Sequence, residues 1–319
     1  MSAYILRRLV QALVVLFFIT AVCFLLTHYS SDPMAQYANK QGMTEADRQA
    51  IRLRLGLDQP LPVQYVSWLT LALQGNLGNS FFSHQPVLLL ISQRLPMTLV
   101  LMITSEILII AVSLVLGIIS AVKQYSLTDN IITSFSFIGF SMPIFFIALG
   151  LMQVLAVQFK EWGWPYLPTG GDVWDFGDPL ALAWHMVLPV TCLIIITVAG
   201  YSRFLRSSIL EVLGLDYIRT ARAKGLEERA VLFKHALRNA ALPLITIIGL
   251  DIPALLGGAL VTESIFAWPG MGRLFWEYAQ KGDFPVVNGT LLLTSSAVVF
   301  FTIIVDVAYT LIDPRIRLN

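Results

Sequence analysis

Long stretches of this chain contain no Asp, Glu, Lys or Arg. Such runs extend from residue 9 to 31, 130 to 159, 179 to 202 and 284 to 305. Two more are each interrupted by a single acid, 95–122 by Glu106 and 239–262 by Asp251. A hydrocarbon layer about 30 Å thick, crossed at 1.5 Å per residue, needs about 20 apolar residues, and every run satisfies that. The apolar residues are continuous rather than alternating, which argues against membrane strands. One such run could be a buried helix of a soluble protein, but hardly six. The sequence therefore predicts an all-α integral membrane protein with six transmembrane helices, near 9–28, 98–121, 132–157, 185–201, 242–262 and 287–311. Composition agrees, since only 13% of residues are charged, against about 25% in soluble domains. The net charge of +1 gives no reason to expect nucleic acid.

Arg7 and Arg8 before an apolar run resemble the start of a signal peptide. The run from residue 9 to 27 is longer than a signal core of about 7–15 residues, and no small-x-small cleavage pattern follows it. It is read as a retained anchor. Cys23 and Cys192 both lie in spans, far apart, and imply neither a disulfide framework nor a metal site. Six spans put both termini on one side. That side holds thirteen of the basic residues, including eight between Arg203 and Arg238, against eight spread over much longer loops opposite. The positive-inside rule then makes both termini cytoplasmic. The expected division is 1–97, an N-terminal helix with a long external segment, and 98–319, a core of five helices.

Outside, residues 29–97 carry a helical pattern from Thr44, as N-cap, to Leu55, then a Pro60–Pro62 breaker and an amphipathic stretch from Val63 to Leu73. Residues 158–184 are rich in Trp, and Trp162, Trp164, Tyr166, Trp174 and Trp184 read as an interfacial belt. Residues 263–286 hold the sharp turn Trp268-Pro269-Gly270-Met271-Gly272. Inside, residues 202–241 form a basic loop. Its first part prolongs the fourth span, its second runs from Asp216 to Lys224 and stops at Gly225, and its third puts Phe233, Ala236, Leu237 and Ala240 on one face. The loop is either solvated positive-inside charge or a docking element for a cytoplasmic partner, whose small residues Thr220, Ala221 and Ala223 suit insertion into a groove.

The run Arg219-Thr220-Ala221-Arg222-Ala223-Lys224-Gly225-Leu226, followed by Leu242-Pro243, resembles the coupling loop of ABC-importer membrane subunits. Arg219 and Thr220 stand where the general importer pattern has Glu and its first Ala, while Ala221 and Gly225 match. The later Leu-Pro, five residues beyond the general spacing, is similar to the dipeptide/oligopeptide/nickel permease version. Residues 55–60 and 75–80 resemble the external segment of the first of that family's two membrane subunits. Glu263-Ser264-Ile265-Phe266 with Pro269, Gly270 and Gly272 resembles its external turn, and residues 306–315 its C-terminus. The resemblance covers essentially the whole chain.

It implies a type I ABC-importer permease fold with a cytoplasmic coupling helix, in a bacterial or archaeal cytoplasmic membrane. It also implies a non-catalytic subunit that pairs with a homologous permease, rests on two ATPase subunits and receives a peptide or related solute from an extracytoplasmic binding protein. The coupling segment would be Asp216, Tyr217 and Arg219 to Gly225. No cofactor is expected in this chain, which lacks the Gly-rich phosphate loop that cradles ATP.

Glu106, Asp251 and Asp306 are acids within spans, expensive there and so candidates for function. Asp251, beside Pro253 and before Gly257-Gly258, could face a watery path and meet a peptide amino group, or could hold an interhelical hydrogen bond. Glu106 shares both readings, with pairing across helices favoured, and Asp306 is expected to meet basic loop residues. Pro143 and Pro189 are expected to kink their helices. The rival function is a proton- or ion-coupled secondary transporter using Glu106 and Asp251. That reading leaves the basic loop and the long external segment unexplained.

Overall fold

The computed structural model describes residues 2–30, 45–54, 58–170, 177–241, 244–245, 247–249, 251 and 260–312. Among the described residues every regular element is helical. Two compact units divide the chain: residues 1–97 with 270–319, and residues 98–269.

In the first unit, α1 (Ser2–Ser30) packs along α12 (Phe284–Ile312) and touches α3 (Leu61–Leu73). Thr20 and Tyr65 share a 2.8 Å hydrogen bond between α1 and α3, and Phe24 packs on both Tyr65 and Trp68. A short α2 (Glu45–Arg54) precedes them, its expected cap Thr44 lying outside the described residues. The first turns of α4 (Val87–Val122) pack Val87 and Ile91 against Met271 and Leu274 of α11 (Met271–Gln280). Asp283, buried before α12, accepts from the Ser80 hydroxyl at 2.6 Å and the Phe82 N–H at 3.0 Å, which ties the segment between α3 and α4 down.

In the second unit, α4 continues beside α5 (Leu127–Ser141), α6 (residues 144–161) and α7 (Pro179–Leu213). Helices α5 and α7 run antiparallel. Gly139 lies so close to α7 that an added Cβ would sit 2.8 Å from the Ile195 carbonyl oxygen. Ser126 caps α5 through the Asp129 N–H. The basic loop contributes α8 (Asp216–Ala223) and α9 (residues 228–240), and α10 (Leu260–Ile265) packs on α6 and α7. The core joins Ile109 of α4, Leu205 and Ile209 of α7, and Ala240.

Two expectations need correction. The third span does not run from 132 to 157. Met142 and Pro143 are both extended, so the chain breaks between α5 and α6, and the apolar crossing is Ile144–Glu161. The physical cause is Pro143, which drives the residue before it out of the helical region and ends α5. Pro189, by contrast, sits inside an unbroken α7. In the third loop unit Phe233 is not on the inward face. A π-helical turn, Val231–Ala236, adds one residue to the register, so Val231, Ala236 and Ala240 are buried and Phe233 is half exposed.

Five helices are long and apolar enough to cross a bilayer among the described residues: Arg7–Leu26, Val87–Val122, Ile144–Glu161, Pro179–Leu213 and Phe284–Val305. The span expected at 242–262 falls largely outside the described residues, although Leu244, Ile245, 247–249 and Asp251 are helical. Trp162, Trp164, Tyr166 and Trp184 are all exposed, as a bilayer-facing belt requires, while Trp174 lies outside the described residues.

Candidate functional site

The first candidate is the surface of α8. Its eight residues bury only Ile218 and Ala221, three apart on one face, against Val231 and Ala236 of α9 and the end of α7. Asp216, Tyr217, Arg219, Thr220, Arg222, Ala223, Lys224 and Gly225 are all exposed. Asp216 in the first turn and Arg222 in the last both complement the helix dipole. At the C-terminal end the Gly225 N–H donates to the Arg222 carbonyl at 2.9 Å and the Leu226 N–H to the Ala221 carbonyl at 3.4 Å. With Gly225 at φ +76°, this is the paired-bond helix stop that glycine accepts without strain.

The helix is braced against its neighbours rather than free. The Arg222 guanidinium donates to both Glu228 carboxylate oxygens, at 2.7 and 3.1 Å, and that carboxylate holds it more firmly protonated than an isolated arginine. The Asn239 amide donates to the Tyr217 oxygen at 2.8 Å. A rigid knob of small and basic side chains is thus held on an exposed two-helix platform.

The second candidate lies in the membrane. Glu106 of α4 and Asp251 meet on the hydroxyl of Tyr201 of α7, at 3.2 Å from Glu106 Oε1 and 2.6 Å from Asp251 Oδ2. Glu106 is 8% exposed and Tyr201 3%, with Asp251 half-buried. Neither carboxylate has a Lys, Arg or His partner among the described residues. One hydroxyl carries one proton, so Tyr201 satisfies one carboxylate at a time. Among the described residues the cluster therefore has more acceptors than donors.

The structure thus brings the two predicted intramembrane acids together, through a residue the sequence reading did not single out. The signal was present, because Tyr201 is the only tyrosine in the charge-free run 179–202. The side chain of Asp306 lies outside the described residues.

The third set, the turn after α10, is buried. Glu263 is fully buried and its carboxylate accepts from the Thr98 hydroxyl at 2.7 Å, while its carbonyl accepts from the Trp268 N–H at 2.8 Å. Ala267 adopts φ +50° to let Trp268 turn inward. Pro269, Gly270 and Gly272 are buried too, Gly270 being the residue that opens α11.

A fourth polar cluster escaped sequence reasoning. Asp129 and Arg206, 77 positions apart, form a two-pronged ion pair at 2.9 and 2.7 Å. Asp129 also accepts from the Ser120 hydroxyl and, at 2.9 Å, from the Tyr125 N–H. The Arg206 guanidinium above all, with Ser120 and Tyr125 adding to it against the opposing effect of burial, holds the Asp129 carboxyl well below the usual carboxylate range.

Residues 113–318 match the family described as binding-protein-dependent transport system inner membrane component, and residues 1–102 match the N-terminal membrane component of such systems. The chain is 42% identical to the oligopeptide transport system permease protein AppB of Bacillus subtilis, across 99% of this chain and all of that one. It is 37% identical to the dipeptide transport system permease protein DppB of Escherichia coli K12, across 99% of both. The glutathione transport system permease protein GsiC of Salmonella choleraesuis is 39% identical, again across 99% of both. These matches span the apolar helices, the α8 platform and the buried turn alike, and the chain belongs to the family of binding-protein-dependent transport system inner membrane components.

Proposed function

We propose that the chain is the first membrane subunit of an ATP-driven importer for di- or oligopeptides, with α8 as the element gripped by a separate ATPase. A homologous second permease completes the path, two cytoplasmic ATPase subunits bind and hydrolyse ATP, and an extracytoplasmic binding protein delivers the cargo. The chain itself binds no nucleotide. It sits in the cytoplasmic membrane with both termini inside. The names of its relatives, which include oligopeptide, dipeptide and glutathione permeases, support a peptide cargo.

The observation that carries this reading is the construction of α8. A helix of eight residues cannot hold itself together in water. Here it is stopped by Gly225 and braced by Arg222–Glu228 and Asn239–Tyr217, yet its outer face is left bare. That arrangement transmits force from a docked motor to α7 and α9 instead of absorbing it. Within the membrane, Glu106 and Asp251 are assigned to the path, where spare acceptors on the Tyr201 cluster receive the amino group of the peptide.

A cysteine at Thr220 in otherwise native vesicles tests the coupling. It should crosslink to an ATPase subunit, with a yield that changes when nucleotide is bound. Uptake by the purified chain in liposomes, without ATPase or ATP, would instead establish the ion-coupled carrier for which the Glu106–Asp251 pair is the favourable feature. Gly225→Val supplies a second check. Nothing lies within 4 Å of an added Cβ, so the only penalty is the positive φ, about 1–2 kcal/mol. The variant should insert normally, and the transporter assembled with it should hydrolyse ATP with reduced uptake per ATP.

A further inference from the structure

Arg203 is the first charged residue after the apolar run 179–202 and therefore stands at a membrane–water boundary. Its guanidinium lies over two rings of α5, 5.0 Å from the centre of Phe137 and 5.8 Å from that of Phe140. Among the described residues no carboxylate pairs with it. The nearby acid, Asp129, is already committed to Arg206, Ser120 and Tyr125. The cavity of about 330 Å³ shared by these groups carries one uncompensated positive charge and is edged by Asn130, Thr133, Ser136, Ser202 and Ser207.

A second, larger space adjoins it. A groove of about 740 Å³ shares Ile132, Ser136 and Ala199 with the polar cavity and continues past Phe146 and Gly150 to Val154. Its walls are almost wholly apolar, and Phe135 and Ile138 beside it are exposed. A polar, singly cationic chamber at the boundary thus opens into an apolar channel that runs along α5 into the span.

The geometry points to a seat for one anionic phospholipid of the bilayer, its phosphodiester on Arg203 and the surrounding hydroxyls, and an acyl chain in the groove. Charge complementarity selects an anionic over a zwitterionic lipid, because the chamber offers a cation and no free carboxylate to meet a choline or ethanolamine. Cation–π attraction to Phe137 and Phe140 holds the guanidinium in place without using its N–H donors. The lipid would fill the seam between α5 and α7 that Gly139 draws tight.

Native mass spectrometry of the assembled transporter, purified from membranes in mild detergent, tests this without reference to ATP coupling. Phosphatidylglycerol, phosphatidylcholine with the same chains, and glycerol phosphate are added in turn. Phosphatidylglycerol should be retained over phosphatidylcholine, and Arg203→Gln should weaken that preference roughly fivefold, the worth of one basic residue near an anionic surface. Arg203→Lys, which keeps the charge, should preserve most of it and guards against a folding defect. Arg219→Gln on exposed α8 should leave it unchanged. Equal retention by Arg203→Gln overturns the proposal. So does displacement of the lipid by glycerol phosphate at equal concentration, which would leave an anion site without a chain. Displacement by a peptide carboxylate also overturns it, since the chamber would then belong to the cargo's route.

Discussion

Two acidic clusters lie in the same unit of this protein, and they are built on opposite terms. Asp129 is surrounded by donors: both prongs of Arg206, the Ser120 hydroxyl and the Tyr125 N–H. Glu106 and Asp251 have one phenol between them and, among the described residues, no cation. Burying a charge is costly unless it is paired and hydrogen-bonded. The first cluster meets that condition with residues of its own, and its purpose is to join α5 to α7. The second does not meet it among the described residues, which is what makes these intramembrane acids candidates for function. On the function proposed above, compensation by internal partners separates an acid that holds the fold from acids that serve transport.

The largest effect is expected from breaking the compensated site. Asp129→Asn leaves Arg206 with no anion, and Arg206→Ala leaves a buried carboxylate. Loss of one partner of a buried pair costs about 3–5 kcal/mol. Because the Arg206 side chain is 22% exposed, the expected loss is at the lower end, about 3 kcal/mol. Thermal melting in detergent reads it, and a double variant should recover part of the loss. A drop no larger than that of Asp251→Asn would erase the distinction drawn here. Gly139→Ala attacks the same helix pair from its other end. An added Cβ 2.8 Å from the Ile195 carbonyl oxygen forces α5 and α7 apart, at about 1–3 kcal/mol, and should loosen the Asp129–Arg206 pair with it.

The Glu106–Tyr201–Asp251 cluster should behave in the reverse way. Tyr201→Phe and Asp251→Asn remove hydrogen bonds but no ion pair, so melting should fall by about 1 kcal/mol or less. Uptake should change instead. Asp251→Asn should impair uptake of peptides with a free amino terminus more than of N-blocked ones, measured with both in proteoliposomes of the full transporter. Equal impairment of the two would place Asp251 with Asp129, as a structural residue.

The sequence carried more of this architecture than of its chemistry, for reasons that differ by residue. Spans were legible because a charge-free run has one dominant physical meaning in a chain this apolar, and the stop at Gly225 because few residues tolerate its φ of +76°. Pro143 announced a kink, but only the backbone shows a break that divides α5 from α6. The π-helical turns at Gln153–Gln158 and Val231–Ala236 leave no periodic trace, so Phe233 was assigned to the wrong face. Both acidic clusters rest on pairings between residues far apart in the chain, Asp129 with Arg206 and Glu106 with Asp251 through Tyr201. A single sequence names candidates for such pairings without joining them, and the burial of Glu263 on the Thr98 hydroxyl is equally a long-range pairing.

The smallest expected effect is the most discriminating, because it is an absence of change. The folded Asp129 carboxyl is held below its ordinary value by Arg206, and an unfolded aspartate titrates near about 3.9. A carboxyl depressed in the folded state contributes stability that is complete above the unfolded value and is lost only as pH falls below it, towards the folded one. The stability difference between the wild-type protein and Asp129→Asn should therefore be flat from about pH 8 to pH 5 and narrow only below about pH 4. Melting curves of the two proteins across that range measure it. Narrowing already near about pH 6 would mean that Asp129 binds its proton in the ordinary working range. It would then be as incompletely satisfied as Glu106 and Asp251, and pairing would no longer tell the two clusters apart.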